Sequence, residues 1–125
     1  MEKKKILIID DEEDFCQMME FNLEDSGKYE VRMETKGKKA LAAAKEFKPA
    51  LIFLDIVMPD IPGDEVAQQL RSDEMTKDIP VVFLTALVRG NEVASQDGII
   101  GGNPFIAKPV SIEKLIDCIE KNTRN

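Results

Sequence analysis

A chain of 125 residues, 43% hydrophobic and 33% charged, suits one globular domain with a core of its own. Its net charge of −7 disfavours direct binding to nucleic acid, and no apolar run approaches the ~20 residues of a membrane span. The chain has no histidine, which excludes imidazole as base, zinc ligand or phosphocarrier.

The start, Met1 to Lys5, leads into only four apolar residues, too few for a signal peptide. Lys5–Ile9 is the first predicted strand, and the acidic run Asp10-Asp11-Glu12-Glu13 follows it. Phe15, Met18, Met19 and Leu23 then recur at helical spacing, and their stripe is expected to be core. Cys16 in this segment and the distant Cys118 lack metal-ligand spacing. They read as small buried thiols of a reducing, cytoplasmic compartment.

Tyr29–Met33 alternates, with Tyr29, Val31 and Met33 on one face, as an edge strand does. Ala40, Leu41, Ala44 and Phe47 make a second helical stripe. Ala50–Leu54 is a continuous apolar strand that ends abruptly on Asp55. Val66, Ala67 and Leu70 mark a third helix. Val81–Leu84 is the fourth strand and runs into Thr85 and Ala86; Phe105–Ala107 is the fifth and runs into Lys108 and Pro109. Ile112, Leu115, Ile116 and Ile119 form the last helix, with Ser111 placed to cap it.

Between Thr85 and Lys108 a fourth helix is expected, but Gly90, Gly98, Gly101 and Gly102 interrupt it. Interior glycine costs a helix ~1 kcal/mol relative to alanine. This helix is therefore predicted to be weak over 88–102: short, displaced or mobile.

Strand–helix alternation of this kind implies an α/β domain, a parallel five-stranded sheet with helices on both faces. The strand order 2-1-3-4-5 is adopted as the common one for flavodoxin-like doubly wound sheets of this size. Residues 1–125 are expected to form a single domain, with no repeat, no linker and too few residues after the last helix for another unit.

Ligands of open parallel sheets bind at the carboxyl ends of the strands. There the sequence delivers Asp10 and Asp11 from strand 1, Asp55 from strand 3, Thr85 and Ala86 from strand 4, and Lys108 from strand 5. Taken singly, the acidic run complements a helix dipole, Asp55 precedes a turn, and Lys108 is a solvated charge. Taken together, carboxylates that would otherwise repel suit a hard divalent cation such as Mg²⁺. A lysine, a hydroxyl and an accessible backbone N–H complete a site for a phosphoryl group, and an aspartate can be its covalent acceptor.

The segments "ILIIDDEEDF", "LIFLDIVMPDIPGDE", "VVFLTA" and "FIAKPVS" resemble the response-regulator receiver domains of two-component signalling over essentially the whole chain. The resemblance implies that Asp55 is the phosphoacceptor and that Asp11 directly, Asp10 through water, Asp55, and the Val57 carbonyl hold Mg²⁺. It implies that Thr85, Ala86 and Lys108 bind the phosphoryl group, with Lys108 paired to Asp55 beforehand. Thr85 and Phe105 would be the switch pair, and Pro109 would position the lysine. The phosphodonor would be a sensor histidine kinase or a histidine phosphotransfer domain, and the output an unknown downstream protein, with no nucleic acid or membrane contacted directly.

Apolar Val57 and Leu87 stand where polar residues help orient an attacking water in the family, which leads us to expect slow autodephosphorylation. The weak fourth helix puts in question the partner surface that the family commonly builds around it. The alternative is a receiver fold acting as a constitutive, never phosphorylated interaction module. Other classes fit less well. An aspartyl-phosphate phosphatase would want an acid at Val57, a flavin binder would want a Ser/Thr/Gly-rich first loop, and the P-loop pattern is missing.

Overall fold

Apolar runs too short for helices, such as Ile6–Ile9, Leu51–Leu54 and Val81–Leu84, become the central strands, each followed at its carboxyl end by a polar residue. A computed structural model describes residues 3–85, 99–100, 103–108 and 110–123. In chain order these form β1 (Lys4–Ile9), α1 (Glu13–Asp25), β2 (Tyr29–Glu34), α2 (Ala40–Phe47) and β3 (Leu51–Asp55). There follow α3 (Gly63–Ser72), β4 (Val81–Thr85), β5 (Ile99–Ile100), β6 (Asn103–Ala107) and α4 (Ile112–Thr123). A 3-10 turn, Gly37–Lys39, leads into α2.

The sheet order is β2-β1-β3-β4-β6-β5. Its five long strands are parallel and follow the expected order 2-1-3-4-5, with β6 as the fifth. The two-residue β5 is an addition, antiparallel to β6 at the sheet edge. Ile99 and Ile100 thus extend the sheet instead of ending a weak helix. Gly101-Gly102 lies between β5 and β6 in sequence, a dipeptide that favours hairpin connections over helix. The rest of the expected fourth helix, residues 88–98, lies outside the described residues.

Pleating divides the apolar residues between two cores. Ile6 and Ile8 of β1, Leu51 and Phe53 of β3, and Val82 and Leu84 of β4 pack with Cys16, Met19 and Leu23 of α1 and Leu115 and Ile119 of α4. Leu7, Ile9, Ile52, Leu54, Val81 and Phe83 face the other way, onto Ala40, Ala43 and Ala44 of α2 and Val66, Ala67 and Leu70 of α3. All five residues of β3 are buried, as covering both faces requires. Each large side chain so enclosed contributes ~1.5–3 kcal/mol.

At the helices, Ser111 caps α4 as expected, its Oγ accepting the Lys114 N–H at 3.2 Å. Met18, expected in the core, is 49% exposed instead. Cys16 takes the inward position, because a stripe through 16, 19 and 23 tracks the helix as well as one through 15, 18 and 19, and the neighbouring helix selects it.

Register then fixes the functional edge. Ile9 lies beside Leu54, Asp55 beside Leu84, and Thr85 beside Ala107. Strands β1, β3, β4 and β6 therefore end at a common level, and the residues closing them or following them share one rim.

Candidate functional site

Asp10 leaves β1 fully buried, whereas Asp11 is exposed to solvent. Asp10 Oδ1 accepts the Glu12 N–H at 2.9 Å, and the Cys16 thiol donates to the Asp10 carbonyl at 3.3 Å. Burial pushes the Cys16 thiol up to about 12, so it stays a protonated donor at neutral pH.

Asp55 closes β3 and is only 5% exposed. Its Oδ1 accepts the Val57 N–H at 3.2 Å. The loop returns tightly from here. Gly63 donates its N–H to the Ile56 carbonyl at 2.7 Å, and a Cβ at Gly63 would meet the Asp55 carbonyl and lie 2.6 Å from Ile56 Cα. Glycine is needed there because two backbone segments touch. On the far side of the loop, Asp60 accepts the Gly37 and Lys38 N–H groups at 3.2 and 3.0 Å, tying it to the turn before α2.

One oxygen from each of Asp10, Asp11 and Asp55 lies within 4.8 Å of the others. Burial first, and then the neighbouring Asp10 charge, raise the Asp55 pKa to about 7 against the opposing pull of Lys108. Burial likewise raises Asp10 against the pull of Lys108. Asp10 Oδ2 is buried and accepts no directed hydrogen bond among the described residues. Lys108 Nζ lies 2.7 Å from it, an ion pair without hydrogen-bond alignment.

Lys108 reaches in from the end of β6 with a side chain 10% exposed. Its ammonium is 2.5 Å from Glu12 Oε1 but 3.8 Å from Asp55 Oδ2. The pairing with Asp55 implied by the resemblance is therefore the longest of three contacts, because Asp10 and Glu12 together attract the lysine more than Asp55 alone. The Phe15 ring lies beneath the ammonium, 4.6 Å from centroid to Nζ. Burial alone would lower the Lys108 pKa; the Asp10 and Glu12 contacts outweigh it and raise the pKa overall.

Three carboxylates thus face one ammonium, and the two buried ones resist ionisation as they stand. Asp10 Oδ2, buried and without a directed partner, and the neighbouring oxygens of Asp11 and Asp55 make an all-oxygen donor set suited to a hard divalent cation. The residues present fit Mg²⁺.

Val57 is 54% exposed; its side chain points away from cover beside the acidic cluster. Phe105 is half-buried on the α2/α3 side of the sheet, opposite Phe83 in register. Thr85 is described through its backbone in β4, while Ala86, Leu87 and Pro109 lie outside the described residues. Sequence reasoning missed the contacts of Glu12 and Phe15 with Lys108. The four-acid run was visible, but nothing in it distinguished the member that meets a lysine 96 residues away.

Residues 6–120 match the family model described as the response regulator receiver domain. The chain is 35% identical over 118 residues to the polar-differentiation response regulator DivK of Brucella ovis, covering 94% of both proteins. It is 38% identical to the DNA-binding dual master transcriptional regulator RpaA of Synechocystis and to the alkaline phosphatase synthesis transcriptional regulatory protein PhoP of Bacillus subtilis. It spans only 46% and 43% of those two relatives' lengths. Among solved structures, a putative response regulator from Chloroflexus aurantiacus superposes with a TM-score of 0.85 at 29% identity, covering 99% of this chain and 100% of that one. The Vibrio cholerae chemotaxis protein CheY4 gives 0.82, also at 29% identity, covering 96% and 98%.

Proposed function

The chain belongs to the response regulator receiver family, and from that premise we propose that it is a phospho-accepting switch whose acceptor is Asp55. The observation that carries the proposal is the meeting of Asp10, Asp11, Asp55 and Lys108 at one rim, with Asp55 hemmed in by two like charges and a cation. Residues 1–125 act as one receiver unit in this reading.

In the reaction, a carboxylate oxygen of Asp55 attacks phosphorus on a partner's phosphohistidine. An O–P bond forms, the N–P bond breaks, and its electron pair returns to the partner's imidazole. Asp10, Asp11, Asp55 and the Val57 carbonyl would hold Mg²⁺, which supplies positive charge for the phosphoryl oxygens and keeps Asp55 ionised. The Val57 N–H fixes the rotation of the carboxylate through its bond to Oδ1. Lys108 pairs with the phosphoryl oxygens after leaving part of its present contact, and Thr85 and the Ala86 N–H bind the others.

Movement of Thr85 toward the phosphoryl group opens room for Phe105, which is only half-buried and faces the α2/α3 core. Charge-assisted hydrogen bonds contribute ~1.5–3 kcal/mol each, so three new contacts supply most of the ~5.5 kcal/mol that reverses a 1:99 equilibrium. The phosphodonor is a sensor histidine kinase or histidine phosphotransfer domain, and the target is a downstream protein that distinguishes the two states. No described helix is long and apolar enough to cross a membrane.

Incubation with acetyl phosphate and Mg²⁺, read by intact mass, tests the proposal. A single added phosphoryl group is expected, lost in Asp55→Asn and lost on chelating the metal. No adduct in the parent protein would transfer the reading to a constitutive interaction module.

A further inference from the structure

The carboxylate nearest to Lys108 belongs to neither the metal cluster nor the acceptor. Glu12 Oε1 sits 2.5 Å from the ammonium, whereas Asp55 Oδ2 sits at 3.8 Å. The Phe15 ring supports the same ammonium at 4.6 Å. The lysine is thus held between α1 and the end of β1, to one side of Asp55.

We propose that Glu12 is a positioning residue that holds Lys108 at rest on the Phe15 ring, in competition with a phosphoryl group on Asp55. This rests on the reading of Asp55 as acceptor. Asp10 also attracts the lysine, but its carboxylate is one of the three cluster oxygens and its charge is shared there. Glu12 lies outside that cluster, so its pull on Lys108 persists whatever the cluster holds. The contact is also the adjustable one. The Glu12 side chain is 62% exposed and sits just before α1, so replacing it leaves both cores intact.

The geometry fixes the direction. Removing the Glu12 charge frees Lys108 for the acceptor and so favours the phosphoryl-bound state. With Glu12 exposed and Lys108 mostly covered, the pair is taken at the upper strength of surface ion pairs, a change of about fivefold in an equilibrium constant. Glu13, the next residue, carries the same charge without touching Lys108 and controls for the general field. Glu12→Gln keeps the shape and the backbone N–H that bonds to Asp10.

The test compares parent, Glu12→Gln and Glu13→Gln in two measurements. In metal-free protein, the Lys108 side-chain ε-methylene resonance, assigned by selective lysine labelling, is expected to move in Glu12→Gln and to stay in Glu13→Gln. With saturating Mg²⁺, calorimetric titration with beryllofluoride is expected to give about fivefold tighter binding in Glu12→Gln and less than twofold change in Glu13→Gln. Equal affinities for the two variants would overturn the proposal. An unmoved Lys108 resonance in Glu12→Gln would also overturn it, even in a protein that bound no beryllofluoride. Failure of the parent to bind beryllofluoride, with the resonance shift present, would instead count against Asp55 as acceptor.

Discussion

Replacing Asp55 by asparagine should stabilise the metal-free fold. The Asp55 carboxyl has a pKa of about 7 in the folded protein against 3.8 unfolded, chiefly because it is buried and secondly because Asp10 is beside it. A raised carboxyl pKa contributes stability that is fully present below the unfolded value and is lost as pH rises through the folded value. At about 1.4 kcal/mol per pH unit, burying the carboxyl costs about 4 kcal/mol at pH 8, and about 2 kcal/mol at pH 5, where the folded form holds a proton that the unfolded form has released. Asparagine avoids that cost and still accepts the Val57 N–H. Urea unfolding in EDTA at both pH values checks this. The variant should exceed the parent by about 4 kcal/mol at pH 8, and its advantage should shrink by half at pH 5. Mg²⁺ should narrow the gap at pH 8, because the variant lacks one of the three carboxylates proposed to hold it. A variant less stable than the parent at pH 8, or an advantage indifferent to pH, would refute the reasoning.

Gly63→Ala should destabilise the protein by about 2–3 kcal/mol in urea unfolding, since its Cβ would strike the Asp55–Ile56 backbone. The same variant should slow acyl phosphate formation by displacing the Asp55 carbonyl. Tyr29→Phe removes the 2.6 Å bond from the Tyr29 hydroxyl to Glu120 and should cost about 1 kcal/mol at pH 7. That bond, and then Lys4, hold the Glu120 pKa below its usual value, so their stabilisation is present above the unfolded pKa. The difference between Tyr29→Phe and parent should therefore fade as pH drops below about 4. Val57→Asn should release phosphate faster than the parent by tens of percent to several-fold, followed by the decay of the phosphorylated mass; equal decay would remove Val57 from the account of phosphoryl lifetime.

The parts of this fold that depend on short-range pattern were legible in the sequence. Continuous apolar runs such as Leu51–Leu54 have few alternatives once helices cover both faces, and a residue that closes such a strand, as Asp55 does, falls on the common rim through register alone. Asp10, Asp11, Asp55 and Lys108 were therefore recognisable as neighbours. The finer choices depend on tertiary competition. Cys16 was expected to be buried and is, but that Met18 turns outward is decided by α4 across the helix, since stripes through either residue fit one α-helical period. Which acid Lys108 prefers is decided by the reach of a long side chain over Phe15, a contact between residues distant in the chain. Ile99 and Ile100 were counted with a helix because apolar pairs of that length carry no period. Their pairing with Asn103 and Pro104 appears only once β6 occupies the sheet.

Chemical trapping addresses the central claim at the level of a single side chain. The protein, phosphorylated with acetyl phosphate and Mg²⁺, is reduced with borohydride, which converts an aspartyl phosphate to homoserine, and its peptides are sequenced by mass spectrometry. The account predicts homoserine at position 55 and nowhere else. Homoserine at Asp10, at Asp11 or at another carboxylate, with position 55 unchanged, would contradict it.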